Sequence, residues 1–124
     1  MVLIDTNIVI EWLKGNEDII RNLELIGYNE LGISSITKME VLIGARNASE
    51  LKVLEKAINS LDVYHLNARI SKEGVLLIKK FKLSHNLQIP DALIAATSMI
   101  YQVELFTLNK KDFHFIQDIK LWNT

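Results

Sequence analysis

Two kinds of apolar pattern alternate along the chain. Short unbroken apolar runs occupy residues 2–4 (Val-Leu-Ile), 31–34 (Leu-Gly-Ile-Ser), 63–66 and 104–107. Runs of this length, bounded by polar or turn-forming residues, predict buried strands. Between them the apolar positions recur every three or four residues, the period of a helix with one buried face. Residues 8–13 predict a turn or two of helix, broken at Gly15-Asn16. Residues 17–26 resume the helical period with Ile19, Ile20, Leu23 and Ile26 on one side, and Gly27-Tyr28-Asn29 forms a turn. Helices are expected over 37–45 and over 49–61, the latter with Leu51, Leu54, Ile58 and Leu61 on one face. Residues 67–85 form the longest expected helix, striped by Ile70, Gly74, Leu77, Ile78 and Phe81. Residues 90–102 are apolar almost all round (Leu93, Ile94, Ala95, Ala96, Met99, Ile100), which predicts a deeply packed helix. A short helix over 110–115 and a last strand near 119–122 complete the reading.

Strands alternating with helices imply a parallel sheet covered on both faces, an α/β/α sandwich. With 124 residues, one proline and five glycines, and no linker-like stretch, residues 1–124 are expected to form a single domain. No run approaches the roughly 18 apolar residues needed to span a bilayer, and no basic-then-apolar leader opens the chain. The expectation is a cytoplasmic protein with no membrane partner. The absence of cysteine removes disulfides, thiol catalysis and cysteine–zinc sites. His65, His85 and His114 lie in separate segments without metal-ligand spacing, so surface or packing roles are expected for them. Core or rim positions are expected for Trp12 and Trp122, and the apolar stripe of Ile8, Trp12, Ile19 and Ile20 fits either core or a partner surface. A net charge of −1 is not the footprint of bulk electrostatic binding to nucleic acid.

Four acids change this picture. Asp5 ends the first strand, Glu40 follows the second, Asp91 opens the buried helix, and Asp112 follows the strand at 104–107. Each has a local explanation. Asp5 suits a helix cap, Thr37 and Glu40 fit a capping box, Pro90-Asp91 suits the first turn of a helix, and Asp112 suits the start of the short helix after it. Together they mean more, because in a parallel sheet the strand carboxyl ends and the following helix starts share one edge. Two carboxylates about 4 Å apart repel by about 4 kcal/mol at an effective dielectric of about 20. Such a group either keeps protons or binds a cation, and oxygen-only ligands suit Mg²⁺ or Mn²⁺.

The segments "VLIDTN" (2–7), "SSITKMEVLIGA" (34–45), "IPDALIAAT" (89–97) and "LFTLNKKDF" (105–113) occur in this order. With them the chain resembles, over essentially its whole length, the PIN-domain ribonucleases, specifically the VapC-like toxins of toxin–antitoxin pairs. The resemblance implies a Rossmann-like α/β/α sandwich with a central parallel sheet. It implies a Mg²⁺- or Mn²⁺-dependent endoribonuclease, neutralised by a cognate VapB-like antitoxin and often homodimeric. It implies an acidic site of Asp5, Glu40, Asp91 and Asp112, with Asp5 and Asp91 as the principal metal ligands. Thr6, Asn7, Thr107 and Asn109 would support them. Asn109 stands where many members carry aspartate, and being neutral it can orient a group but adds no charge. Lys38, Arg46, Lys110 and Lys111 are candidate contacts to the RNA backbone, against a plain reading as surface charge.

Other readings are open at this point. A haloacid-dehalogenase-type phosphatase needs an aspartate two residues after the first, where this chain has Asn7. A response-regulator receiver needs an aspartate after the third strand, where only Asp62 precedes it. A non-catalytic PIN-like module that only binds a partner is the remaining alternative.

Overall fold

The computed structural model describes residues 1–123. Four strands, β1 (Val2–Ile4), β2 (Leu31–Ser34), β3 (Asp62–Tyr64) and β4 (Glu104–Phe106), form one parallel sheet in the order β3-β2-β1-β4. Helices α1 (Thr6–Leu13) and α2 (Glu17–Ile26) connect β1 to β2, and α3 (Ser35–Ile43) and α4 (Ala48–Ile58) connect β2 to β3. Helices α5 (Ala68–His85) and α6 (Ile89–Tyr101) connect β3 to β4. The strand order reverses at β1, which has β2 on one side and β4 on the other. In open α/β sheets the ligand crevice lies at such a switch point, beyond the carboxyl ends of the strands.

Side chains alternate across a strand, so β1 feeds two cores at once. Val2 and Ile4 join Ile8, Val9, Ile19, Leu23, Val41 and Phe106 on one face. Leu3 joins Ile70, Leu77, Ala92, Ala95, Ala96 and Leu105 on the other. β4 divides in the same way, with Leu105 in the second cluster and Phe106 in the first. The expected three-layer sandwich is therefore observed. Helix α6 buries Ala92, Ile94, Ala95, Ala96, Thr97 and Ser98, as its all-round apolar pattern requires. Ile8 and Ile19 are core residues, and Trp12 packs partly buried against them, so the stripe they form faces inward.

Four of the helix starts are capped by short neutral polar side chains. Asn16, Asn47 and Asn67 accept backbone N–H bonds at the starts of α2, α4 and α5, and Ser34 does so for α3. At the end of α5 Asn86 takes the left-handed conformation (φ 53°), a role asparagine tolerates well.

Several expected boundaries move. α1 begins at Thr6 and α3 at Ser35, because Asp5 and Ser34 take the capping positions. The Thr37–Glu40 capping box does not form, since Ser34 occupies the cap and Thr37 lies inside α3, buried. β3 spans Asp62–Tyr64 rather than 63–66. The expected helix over 110–115 shortens to one 3₁₀ turn, Lys110–Asp112. The last expected strand contracts to a single parallel bridge, Leu105 to Leu121, with Leu105 N donating to Lys120 O (2.8 Å) and Trp122 N to Leu105 O (2.9 Å). With β4 only three residues long, little edge remains for longer pairing.

Gly32 in β2 shows how tightly the sheet is covered. A Cβ there would collide with the Tyr64 ring, which packs edge-on against Tyr101 at 4.7 Å. Gly32→Ala should therefore lower unfolding stability by about 1–3 kcal/mol through overpacking. Urea denaturation is the measurement, and an unchanged midpoint would show that the tyrosine ring moves freely.

Candidate active site

The carboxyl edge of the sheet gathers the acids one element at a time. Asp5 leaves the buried strand β1 and is itself only 5% exposed. Its backbone N donates to Phe106 O (2.9 Å), and its carbonyl accepts from Ile8 N and Val9 N at the start of α1. The backbone carbonyl and one carboxylate oxygen thus both cap the helix, and the other oxygen reaches across the sheet. Oδ1 accepts from Thr6 N (2.8 Å) and Oδ2 from the Thr107 hydroxyl (2.8 Å), across 102 residues of sequence.

Thr107 sits where β4 ends and acts as a clasp. Its Oγ1 accepts from Asn109 N (3.1 Å) and from Asn7 Nδ2 (3.5 Å), while Asn7 Oδ1 accepts from Leu108 N (3.3 Å). The first turn of α1 and the segment after β4 are therefore stitched together directly behind Asp5. On the other side, the Thr6 hydroxyl donates to Glu40 Oε1 (2.7 Å) and lies 3.1 Å from the Thr37 hydroxyl. That contact fixes Glu40 of α3 beside α1. Thr37 was assigned by its spacing to a capping box; its role in the polar link to Thr6 has no signal in the local sequence.

The four acids feel one another. Burial pushes the Asp91 carboxyl up to about 6, and repulsion from Asp5, Asp112 and Glu40 pushes it the same way. Asp5 is raised as well, first by burial and then by Glu40 and Asp112, with the bonds from Thr107 and Thr6 N pulling it back. No Lys, Arg or His forms an ion pair with any of the four among the described residues. Nor do three or more acidic or histidine side chains close into a metal-binding group there. The result is an open cluster of hard oxygen donors with uncompensated negative charge. This suits Mg²⁺, which keeps several of its own waters and is held through one or two carboxylates rather than a full protein cage.

The candidate cations are placed differently. Arg46 is engaged by Glu50, with Nε and Nη2 reaching its carboxylate at 3.0 and 2.8 Å. Lys110 Nζ donates to Asn123 Oδ1 (3.2 Å). Lys38 is half-buried on α3. Lys111 lines a cavity with Asp91 and Asp112. His65 and His114 are exposed, while His85 borders that same cavity, a position its sequence context did not indicate.

A parallel sheet that delivers four unpaired carboxylates to its switch point defines an acidic-site α/β domain. The particular family follows from comparison: the PIN domain family matches residues 2–117, and the chain belongs to that family. It is similar to Ribonuclease VapC19 of Mycobacterium tuberculosis, 32% identical over 123 residues that cover 97% of this chain and 98% of that protein. It is also similar to Ribonuclease VapC10 of the same organism, 27% identical over 97% of this chain and 91% of the other. Among solved structures it resembles a chain of a toxin–antitoxin complex from Klebsiella pneumoniae, with a TM-score of 0.82 and 31% identity, covering 96% of this chain and 95% of that one. A chain of VapBC2 from Rickettsia felis, bound to a DNA fragment from its promoter, matches with a TM-score of 0.84 and 25% identity over 100% and 99% of the two chains. The family membership expected from the four motifs holds.

The raised carboxyl of Asp91 has a thermodynamic consequence. Its folded-state value of about 6 lies above the ordinary 3.8, so between these values the folded chain holds the proton more strongly than the unfolded one. In the absence of divalent ions this group's contribution to stability is greatest near pH 4 and falls as pH rises to about 6. Asp91→Asn should therefore stabilise the metal-free protein at pH 7.5. Asp91 is half-exposed, so solvent screening limits the gain to about 1 kcal/mol, or about 3–6 °C in Tm. The gain should vanish near pH 4. Thermal melts of both proteins in EDTA across pH 4–8 test this, and a destabilised variant at pH 7.5 would contradict it.

Proposed function

We propose that this protein is a divalent-metal-dependent endoribonuclease, the toxin of a toxin–antitoxin pair, neutralised by a cognate VapB-like antitoxin. The observation that carries the reading is the group Asp5, Glu40, Asp91 and Asp112, whose charges repel at the switch point of the sheet and which has no ion-pair partner among the described residues. Two further findings support it: curated relatives named ribonucleases, and a structural neighbour described as a toxin–antitoxin complex. A cytoplasmic location and a homodimer are part of the proposal.

Asp5 and Asp91 would hold Mg²⁺ or Mn²⁺. When bound, the ion acidifies a coordinated water and stabilises charge on the scissile phosphate. The chain's own contributions follow from the geometry. Thr107 and Thr6 N hold the two oxygens of Asp5, so its orientation is set before any ligand arrives. The Thr6 hydroxyl holds Glu40, and Glu40 or Asp112 would take the proton of the attacking water. The water oxygen bonds to phosphorus, one bridging P–O bond breaks, and the released oxygen takes up a proton. Lys38, Lys110 and Lys111 supply positive charge to the RNA backbone beside the acids, and Arg46 would do so on leaving Glu50.

The test is cleavage of a structured RNA pool by the purified chain freed of any partner, with Mn²⁺ and with EDTA. Wild type should cleave only with the metal, and Asp5→Asn and Asp91→Asn should each lose about 100-fold or more in rate. Undiminished cleavage by both variants would overturn the mechanism, and no cleavage by wild type would favour the non-catalytic module. Independently of activity, saturating Mn²⁺ should raise the Tm of wild type, with about 2.7 kcal/mol gained at 100 times Kd. Asp91→Asn should lose most of that gain, so that the metal reverses the order of stability seen in EDTA.

A further inference from the structure

Beside the acidic group lies a cavity of about 270 Å³, lined by Asp91 and Asp112 and by His85, Gln88, Lys111 and Phe115. Two of the four acids are part of its wall, so a group seated in it sits within one side chain of the reacting centre. It is smaller than the roughly 300–1,000 Å³ of sites for drug-sized ligands.

Its chemistry is that of a single-stranded RNA site. The His85 ring stacks on Phe115 with centroids 4.0 Å apart and planes 10° from parallel. Phe81 braces Phe115 edge-on at 4.9 Å, and the Ser84 hydroxyl lies 2.8 Å from His85 Nδ1, which fixes the ring's rotation. His85 is nevertheless exposed, so a flat aromatic surface is held rigid in solvent and contributes little to the core. Left-handed Asn86 ends α5 and lets Leu87 bury itself, anchoring the rim. Gln88 Nε2 donates to Asn86 O (2.9 Å), which orients its amide and leaves the amide oxygen as an acceptor. Lys111 adds a cation next to Asp112. An aromatic shelf, an oriented amide and a phosphate-seeking cation are the three elements by which proteins hold an unpaired nucleotide.

We propose that this cavity is the subsite for the nucleotide adjoining the scissile phosphate: its base stacks on His85, its edge is read by Gln88, and its phosphate is met by Lys111. The assignment rests on the ribonuclease reading and names the residues that select the cut site.

A randomised pool of short single-stranded RNAs, cleaved with Mn²⁺ and sequenced at the new ends, reads both activity and base preference. Wild type should show a base bias at one position flanking the cut. His85→Ala should raise KM about 10-fold with kcat little changed. His85→Phe should restore KM, because it keeps the stacking face and removes the imidazole nitrogens. Gln88→Ala should flatten the bias at that position, and Lys111→Ala should raise KM for all sequences without altering the bias. His85 and Gln88 are exposed, so these variants should fold normally, and unchanged thermal melts verify it. Wild-type cleavage with KM and bias unaltered in His85→Ala and Gln88→Ala would overturn the subsite while leaving the nuclease reading intact. The same holds if His85→Ala alters only association with a partner protein, which would make the cavity a protein-docking site. No cleavage by wild type would overturn both readings.

Discussion

The structure depends on a constraint at β1. This three-residue strand is buried on both faces, with helices above and below, so the residue that leaves it has almost no access to water. That residue is Asp5. Desolvation disfavours its charged form, and the fold answers with two hydrogen bonds, one from the next backbone amide and one from Thr107 at the end of the neighbouring strand. The Thr107 bond has a second effect. It ties the exit of β1 to the exit of β4, the two strands on either side of the switch point. The same contact that makes a buried carboxylate tolerable also closes one wall of the crevice beside it.

The distribution of caps shows that only one of the four acids, Asp5, caps a helix. Asparagines cap α2, α4 and α5, and a serine caps α3. Short neutral side chains meet the helix N–H groups without adding charge. Asp5 caps α1 with its carbonyl and with Oδ1, which accepts from Thr6 N, while Oδ2 turns to Thr107; Glu40 points its carboxylate to Thr6 rather than back to the start of α3. Helix capping therefore explains Asp5 in part and leaves Glu40, Asp91 and Asp112 unexplained. Their charges raise the proton affinity of Asp5 and Asp91, and no basic side chain is paired to any of the four among the described residues. A fold under pressure only for stability would not keep such a group. Its cost is the expected signature of a site that becomes comfortable when something positive arrives.

Much of this was legible in the sequence because it depends on local periodicity. The strands at 2–4 and 31–34 and the helices at 17–26 and 67–85 show in their apolar spacing, and the all-round apolar pattern of α6 reveals its burial. The sheet's parallel character follows from the alternation of strands and helices, and the convergence of the acids follows from the sheet. The misplaced pieces depend on contacts distant in sequence. Thr37 looks like half of a capping box because Glu40 stands three residues on; only the approach of α1 shows that Thr6 claims that glutamate instead. The segment after β4 looked like a helix and a strand, yet its conformation is set by Thr107, Asn109 and the short edge of β4. His85 carried no signal at all, since its stacking on Phe115 joins residues 30 apart in the chain.

Asn109 marks where sequence and geometry meet most closely. A neutral residue in the acidic segment looked like the weak corner of the site. In the structure Asn109 contributes through its backbone, whose N–H donates to Thr107 Oγ1. Because that oxygen accepts from Asn109 N, its own proton is directed to Asp5, which lengthens the chain of polarised bonds ending on the carboxylate. The single 3₁₀ turn that follows then carries Asp112 back towards the edge, where its charge acts on both Asp5 and Asp91. Asp112 thus adds negative charge three residues after the neutral Asn109, and the bond from position 109 to Thr107 uses only the peptide N–H.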